Sequence, residues 1–215
     1  MNNAQGKFSA VCFDCDSTLS RLEGIDELAL RYGRKDEVAL LTEAAMNGEL
    51  SIDDVYAKRL SIVRPDRKAV AWLGERYVQE LVPGARETVE ALRRLGKPVY
   101  VVSGGLLPSV GYLAQALAIP MSRVYAVPIE FDASGAYRGF DQGSPLPRAD
   151  GKAVVCRELA KRLNALRAAA GQRQARPRQA AQQLERAHHG QVDAVAGEGA
   201  IPGEIRCARK RERPR

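Results

Sequence analysis

At 215 residues the chain is long enough for one sizeable core, or for a core with a smaller inserted unit. No apolar stretch approaches the roughly 20 residues of a membrane span, and no basic segment leads into an apolar leader, so a cytoplasmic protein without membrane contact is expected. The net charge of +7 is not spread over the chain: from Arg167 onward eleven Lys and Arg face five Asp and Glu, which is +6, leaving +1 for residues 1–166.

The run Phe8-Ser9-Ala10-Val11-Cys12-Phe13 is short, apolar and followed by turn chemistry, which predicts a buried strand. It leads into Asp14-Cys15-Asp16-Ser17-Thr18. Two carboxylates at i and i+2, placed where a strand ends, suit phosphoryl transfer through a covalent aspartyl-phosphate. The first attacks phosphorus; the second protonates the leaving oxygen and then activates water. A hard cation such as Mg²⁺ would hold the phosphate with oxygen ligands from the same loop. Alone, the pattern reads equally well as an acidic turn. The four cysteines, Cys12, Cys15, Cys156 and Cys207, make no disulfide framework at this length. Cys12 and Cys15 have zinc-like spacing, but no second pair follows and Cys15 sits between the two aspartates, which argues against zinc.

From Gly24 to about Gln79 the pattern is helical. Ile25, Leu28, Ala29 and Tyr32 share one face, and Val38, Leu41, Ala45 and Met46 another. Ser51-Ile52-Asp53-Asp54 has the form of a helix start, Pro65 ends that helix, and Ala69 to Leu81 supplies the next. Helices in succession without a strand predict a small helical unit. Pro83-Gly84 opens a helix over Ala85–Leu95, with Gly96 past its end.

Val99-Tyr100-Val101-Val102 predicts a buried parallel strand, ending in Ser103-Gly104-Gly105 before another helix. A hydroxyl and the N–H groups of a glycine turn ahead of a helix make a phosphate cradle, although a tight turn needs glycine anyway. Val124–Phe131 and Tyr137–Phe140 flank Asp132-Ala133-Ser134-Gly135, a hairpin signal. Asp150-Gly151-Lys152 then leads into a helix over Ala153–Leu163, where an ammonium could neutralise a phosphate or the nucleophile. Strands alternating with helices imply an α/β fold with a parallel sheet, interrupted early by the helical unit.

The order and spacing of these segments resemble the haloacid dehalogenase superfamily of phosphatases, and within it the phosphoserine phosphatases. Asp14-Cys15-Asp16-Ser17-Thr18 is similar to their first motif, Ser103-Gly104-Gly105 to their second and Lys152 to their third. The helical unit resembles their cap, and the hairpin Glu130–Phe140 with Gly139-Phe140-Asp141 matches a feature common there. The resemblance implies a Rossmann-like parallel sheet core over 8–22 and 81–166, and an inserted helical cap over 23–80. It implies Asp14 as nucleophile, Asp16 as general acid/base and Lys152 as the charge that orients them. Ser103 and Gly104 would bind phosphate. Magnesium would take a carboxylate oxygen of Asp14 and the carbonyl of Asp16. Glu23 falls where the family faces the substrate ammonium, and Arg59 where it pairs with the substrate carboxylate, a contact that guanidinium geometry favours. Met46 and Ile52 match apolar positions near the substrate, where packing between helices explains them as well.

The family's fourth motif, a glycine-rich loop with two aspartates that complete the magnesium site, has no counterpart. After Lys152 the only aspartate is Asp193, and Gly197-Glu198-Gly199-Ala200 imitates the motif only in part, with Pro202 where the second acid belongs. Residues 167–215 hold ten arginines and six glutamines, while Leu, Ile and Val number five, so a disordered basic tail is expected. His188-His189 stands isolated within it and carries no metal expectation. A change of reading frame near Leu166 would account for the break, and another frame of the encoding nucleotides would then carry Gly-Asp-Gly-x-x-Asp soon after Leu163.

The leading expectation is a phosphoserine phosphatase-like hydrolase with impaired activity, acting on a small-molecule substrate. Another small phosphate monoester is the neighbouring reading. The rival is a non-catalytic protein that keeps the phosphate site and holds nucleic acid with its tail. That tail lacks aromatics between its arginines, so nucleic acid is not the expected partner. Nothing in the sequence speaks to oligomeric state.

Overall fold

Strand β1 (Phe8–Phe13) forms as predicted in a computed structural model that describes residues 8–48, 50–166, 168 and 204–208. Four helices follow: α1 (Gly24–Arg31), α2 (Lys35–Met46), α3 (Ile52–Val63) and α4 (Arg67–Gln79). Ser51 caps α3, its hydroxyl accepting the Asp54 N–H at 3.1 Å, and Asp66 caps α4 through the Ala69 N–H at 2.7 Å. The two ends of this helical stretch meet side by side. Ser20 bridges Leu81, and the N–H groups of Arg21 and Val82 donate to the carbonyls of Glu80 and Leu19 at 2.8 and 2.9 Å.

Helix α5 (Ala85–Arg94) leads into β2 (Val99–Leu106) and α6 (Leu107–Ala116). The strand runs beyond Val102 and takes in Ser103, Gly104 and Gly105, so the glycine pair lies at a strand's end rather than in a loop of its own. The predicted run Val124–Phe131 is divided. β3 (Val124–Val127) joins the main sheet and β4 (Ile129–Phe131) pairs antiparallel with β5 (Tyr137–Phe140). Pro128 stands at the break, where a missing N–H cannot continue a ladder. Helix α7 covers 151–166.

The main sheet is parallel, in the order β3-β2-β1-β6, where β6 is Glu204–Ala208. Phe13 is level with Val101 on one side and with Ala208 on the other. β6 pairs with β1, so the exposed N–H and C=O groups on that side of β1 find an extended partner. The expectation of a structureless tail does not extend to Glu204–Ala208; 169–203, His188-His189 and Asp193 included, and 209–215 lie outside the described residues.

Both faces of the sheet are covered, as continuous apolar strands require. Val99 and Val101 face a core shared with Leu28, Val38, Leu60, Leu73, Tyr77, Val110 and Leu113, whereas Ala10, Cys12, Tyr100 and Val102 pack with Leu146 and Leu159 on the α7 side. The four-helix stretch and the sheet thus share one apolar core. Its helix α4 is joined to α6 by the buried Ser109 hydroxyl, which donates to the Val70 carbonyl at 2.6 Å.

Candidate active site

The carboxyl end of a parallel sheet is where side chains from separate segments converge. Asp14 follows the last residue of β1. One of its carboxylate oxygens accepts the Cys15 N–H at 2.8 Å, and the other forms an ion pair with the Lys152 ammonium. Lys152 arrives from the far side of the sheet, in the first turn of α7. That helix is seated by Gly151: a Cβ there would lie 1.9 Å from the Pro145 carbonyl oxygen, so no other residue allows the approach.

Asp16 is largely buried. Its Oδ1 accepts the Gly24 N–H at 2.7 Å and the Tyr77 hydroxyl at 2.6 Å. Burial pushes its carboxyl up from 3.8 to about 6, against the lowering effect of those two donors, with the charges of Glu23 and Asp14 adding to the rise. A carboxyl that titrates near neutrality can both give and take a proton. Tyr77 is itself fully buried and its hydroxyl is held well above the ordinary pKa by that burial, so it remains a donor. Gly24 is required by this contact, since a Cβ would lie 2.0 Å from the phenol oxygen.

Above these groups opens a cavity of about 480 Å³. Asp14, Asp16, Gly104, Gly105 and Lys152 form its floor; Glu23, Tyr56, Arg59 and Tyr77 stand on the walls built by α1, α3 and α4; Arg148 lies at its rim. Glu23 accepts a hydrogen bond from the Ser17 hydroxyl, and Ser17 adopts a left-handed φ of 51° that only the tight turn after β1 demands. The Arg59 guanidinium donates to the Thr42 hydroxyl, which donates in turn to the Val38 carbonyl at 3.0 Å. Arg59 Nε is buried with no hydrogen-bond partner among the described residues. Arg59 lines the cavity, and a buried donor left unsatisfied costs free energy that a bound acceptor would offset.

The structure thus gathers Asp14, Asp16, Lys152, Gly104, Glu23 and Arg59 around one space. Ser103 stands apart from the cavity lining: it is fully buried behind the glycine pair, and its hydroxyl accepts the Gly105 N–H at 3.0 Å. Its hydroxyl shapes the turn in this state. Met46 ends α2 and Ile52 begins α3, and their side chains lie outside the described residues. Cys15 is buried, its thiol pushed well above the ordinary range by that burial, and among the described residues no three His, Cys, Asp or Glu side chains gather to hold a metal ion.

Sequence reasoning missed Tyr77, Tyr56, Thr42 and Arg148. Tyr77 sits on the apolar stripe Val70, Leu73, Tyr77 and reads as core. The available signal was its hydroxyl, since a buried phenol needs a partner.

The sequence and the fold are similar to those of known proteins. A family profile described as haloacid dehalogenase-like hydrolase matches residues 11–179. The phosphoserine phosphatase of Mus musculus is 40% identical over 150 residues, which cover 70% of this chain and 67% of the mouse protein. A substrate-bound phosphoserine phosphatase structure superposes with a TM-score of 0.59 at 29% identity, covering 73% of this chain and 72% of that one. A phosphoserine phosphohydrolase-like protein from Francisella tularensis subsp. tularensis SCHU S4 gives 0.58 at 28% identity, over 68% and 72% of the two chains.

Proposed function

The chain belongs to the haloacid dehalogenase-like hydrolases, and on that premise we propose that it hydrolyses phosphoserine to L-serine and phosphate through an aspartyl-phosphate on Asp14. The observation that carries the reading is the division of charge around the cavity: a lysine-paired carboxylate and a second, half-titrating carboxyl on the floor, with Glu23 and Arg59 on the wall. Such a set suits a molecule bearing a phosphate at one end and both an ammonium and a carboxylate at the other.

Two displacements make up the chemistry. An Asp14 oxygen attacks phosphorus, the bond from phosphorus to the serine oxygen breaks, and protonated Asp16 gives its proton to that oxygen. Ionised Asp16 then takes a proton from water as the water oxygen attacks phosphorus, which frees phosphate and restores the Asp14 carboxylate. Lys152 holds Asp14 in place and offsets charge on the transferring group. Glu23 receives the ammonium, and the Arg59 guanidinium the carboxylate. Helices α1–α4, residues 23–80, act as the cap over this reaction.

Magnesium fits the floor in part. The Asp14 carboxylate and the Asp16 carbonyl are hard oxygen donors, and the ion is commonly held by one or two carboxylates, waters and substrate phosphate oxygens. When bound, it supplies charge neutralisation for the phosphate. With one carboxylate in that set and no fourth motif in the sequence, affinity for the ion is low and turnover is slow.

Phosphate release from phosphoserine by the full chain, with and without magnesium, tests the proposal. Slow release that rises with magnesium and is lost in Asp14→Asn is expected. Release by Asp14→Asn equal to that of the wild type sinks the nucleophile assignment, and fast wild-type turnover at micromolar magnesium sinks the claim of impairment.

A further inference from the structure

Two adjacent glycines have the widest backbone choice of any dipeptide, so the Gly104–Gly105 peptide at the cavity floor needs something to select its orientation. Two contacts do so. The Gly105 N–H donates to the Ser103 hydroxyl at 3.0 Å, and the Gly104 carbonyl accepts the Tyr56 hydroxyl at 2.9 Å. Both polar atoms of one peptide unit are thereby held. The first contact lies within the turn itself. The second crosses from α3, 48 residues earlier in the chain.

Tyr56 is also fixed from the side. Its ring meets Phe140 of β5 edge-on, with centroids 5.3 Å apart and planes at 69°. A phenylalanine would fill the same space, so the hydroxyl serves only the reach to Gly104. Burial, with the nearby charge of Asp16, pushes the phenol above its ordinary pKa and keeps it a donor.

We propose that Tyr56 is a positioning residue that ties helix α3 to the Gly104–Gly105 peptide, so that the placement of the helical stretch and the affinity of the glycine turn for an oxyanion are coupled. A peptide flip at this point turns the Gly104 carbonyl oxygen toward a bound phosphate, where two negative groups repel; the phenol opposes that flip. The converse also holds: a phosphate that favours the held orientation strengthens the tie and draws α3 onto the floor. The coupling rests on the phosphate-binding role of the glycine turn given above.

Tyr56→Phe keeps the ring on Phe140 and removes only the hydroxyl. Hydrogen exchange of the unliganded full chain is the first readout. Peptides spanning 103–106 and 52–63 should both exchange about fivefold faster in Tyr56→Phe, the size of one neutral hydrogen bond. Phe140→Leu, which keeps the hydroxyl, should leave 103–106 near the wild-type rate. The second readout is calorimetric titration with inorganic phosphate, whose Kd should rise by a similar factor in Tyr56→Phe. Unchanged exchange at 103–106 together with unchanged phosphate affinity overturns the Tyr56 assignment alone. If the wild type fails to bind phosphate, the functional reading falls and takes the coupling with it, whatever the exchange rates show.

Discussion

The floor and the walls of the cavity are built by different means. On the floor, Asp14 lies one residue past β1, the glycine pair ends β2, and Lys152 stands in the first turn of α7. Main-chain topology delivers each of them, since parallel strands end on one side. On the walls, position is set by side chains that bond across long separations: Arg59 to Thr42, Tyr56 to Gly104, Tyr77 to Asp16. The lesson is a division of labour in which backbone topology places the carboxylates, glycines and lysine of the floor, and side-chain contacts place the residues of the walls. A substitution on the floor should therefore abolish chemistry, and one on the walls should rescale binding.

The largest effect tests the floor. Asp14→Asn should lower phosphate release by about a thousandfold or more, because the nucleophile has no substitute; rapid acid quench should trap phosphorylated protein in the wild type and none in the variant. If residual release exceeds one tenth of wild type, the floor is not the site of reaction. On the wall, Arg59→Ala should cost about 10- to 100-fold in kcat/KM for phosphoserine, mostly in KM. The same variant should treat an aminoalkyl phosphate without a carboxylate as the wild type does. An equal loss on both substrates would mean that Arg59 supports the fold rather than the ligand.

Asp16 joins the two regions, and its pH dependence separates them. Its folded pKa of about 6 lies above the ordinary 3.8, so the fold disfavours the charged form. The cost is absent below about pH 4, grows as pH rises through 6, and is fully present above it. Asp16→Asn removes this cost and should stabilise the protein at pH 7.5 by about 2–3 kcal/mol, a thermal midpoint several degrees higher. The difference should shrink to nothing by pH 4 in thermal melts. A gap that does not narrow on acidification would place Asp16 in a more solvated setting. Proton donation to the leaving group should weaken above about pH 6 for the same reason.

The smallest effect belongs to Tyr77→Phe. Loss of one donor to a carboxylate should cost about 1–2 kcal/mol at pH 7.5 by denaturant unfolding, and less at pH 4, where Asp16 is protonated. An equal cost at both pH values would reduce Tyr77 to packing.

Legibility in the sequence followed the same division. Asp14, Asp16, the glycine pair and Lys152 stand beside short apolar runs or helix starts, so local pattern marked them as candidates, and their order and spacing along the chain joined them into one site. Glu23 and Arg59 were reached through family resemblance, because a charged residue on a helix looks the same whether it faces water or a ligand. The strand break at Pro128 and the length of β2 were misjudged, since apolar runs carry no mark of which partner each residue will meet. β6 was missed entirely: Glu204–Ala208 carries little apolar pattern, and what makes it a strand is the open edge of β1.

What the sequence determined by itself is the chemistry on offer: which strand ends in two carboxylates, which turn has no side chains, and which helix starts with a lysine. Those are properties of neighbours in the chain, where the physics is local. Tertiary structure decided what each group became. It buried Asp16 until its carboxyl titrates near neutrality, paired the buried Ser103 hydroxyl with the Gly105 N–H, and left Arg59 Nε a buried donor without a hydrogen-bond partner among the described residues. Desolvation and long-range pairing produce those outcomes, and both bring together residues far apart in the chain, as Tyr77 and Asp16 are at 61 positions.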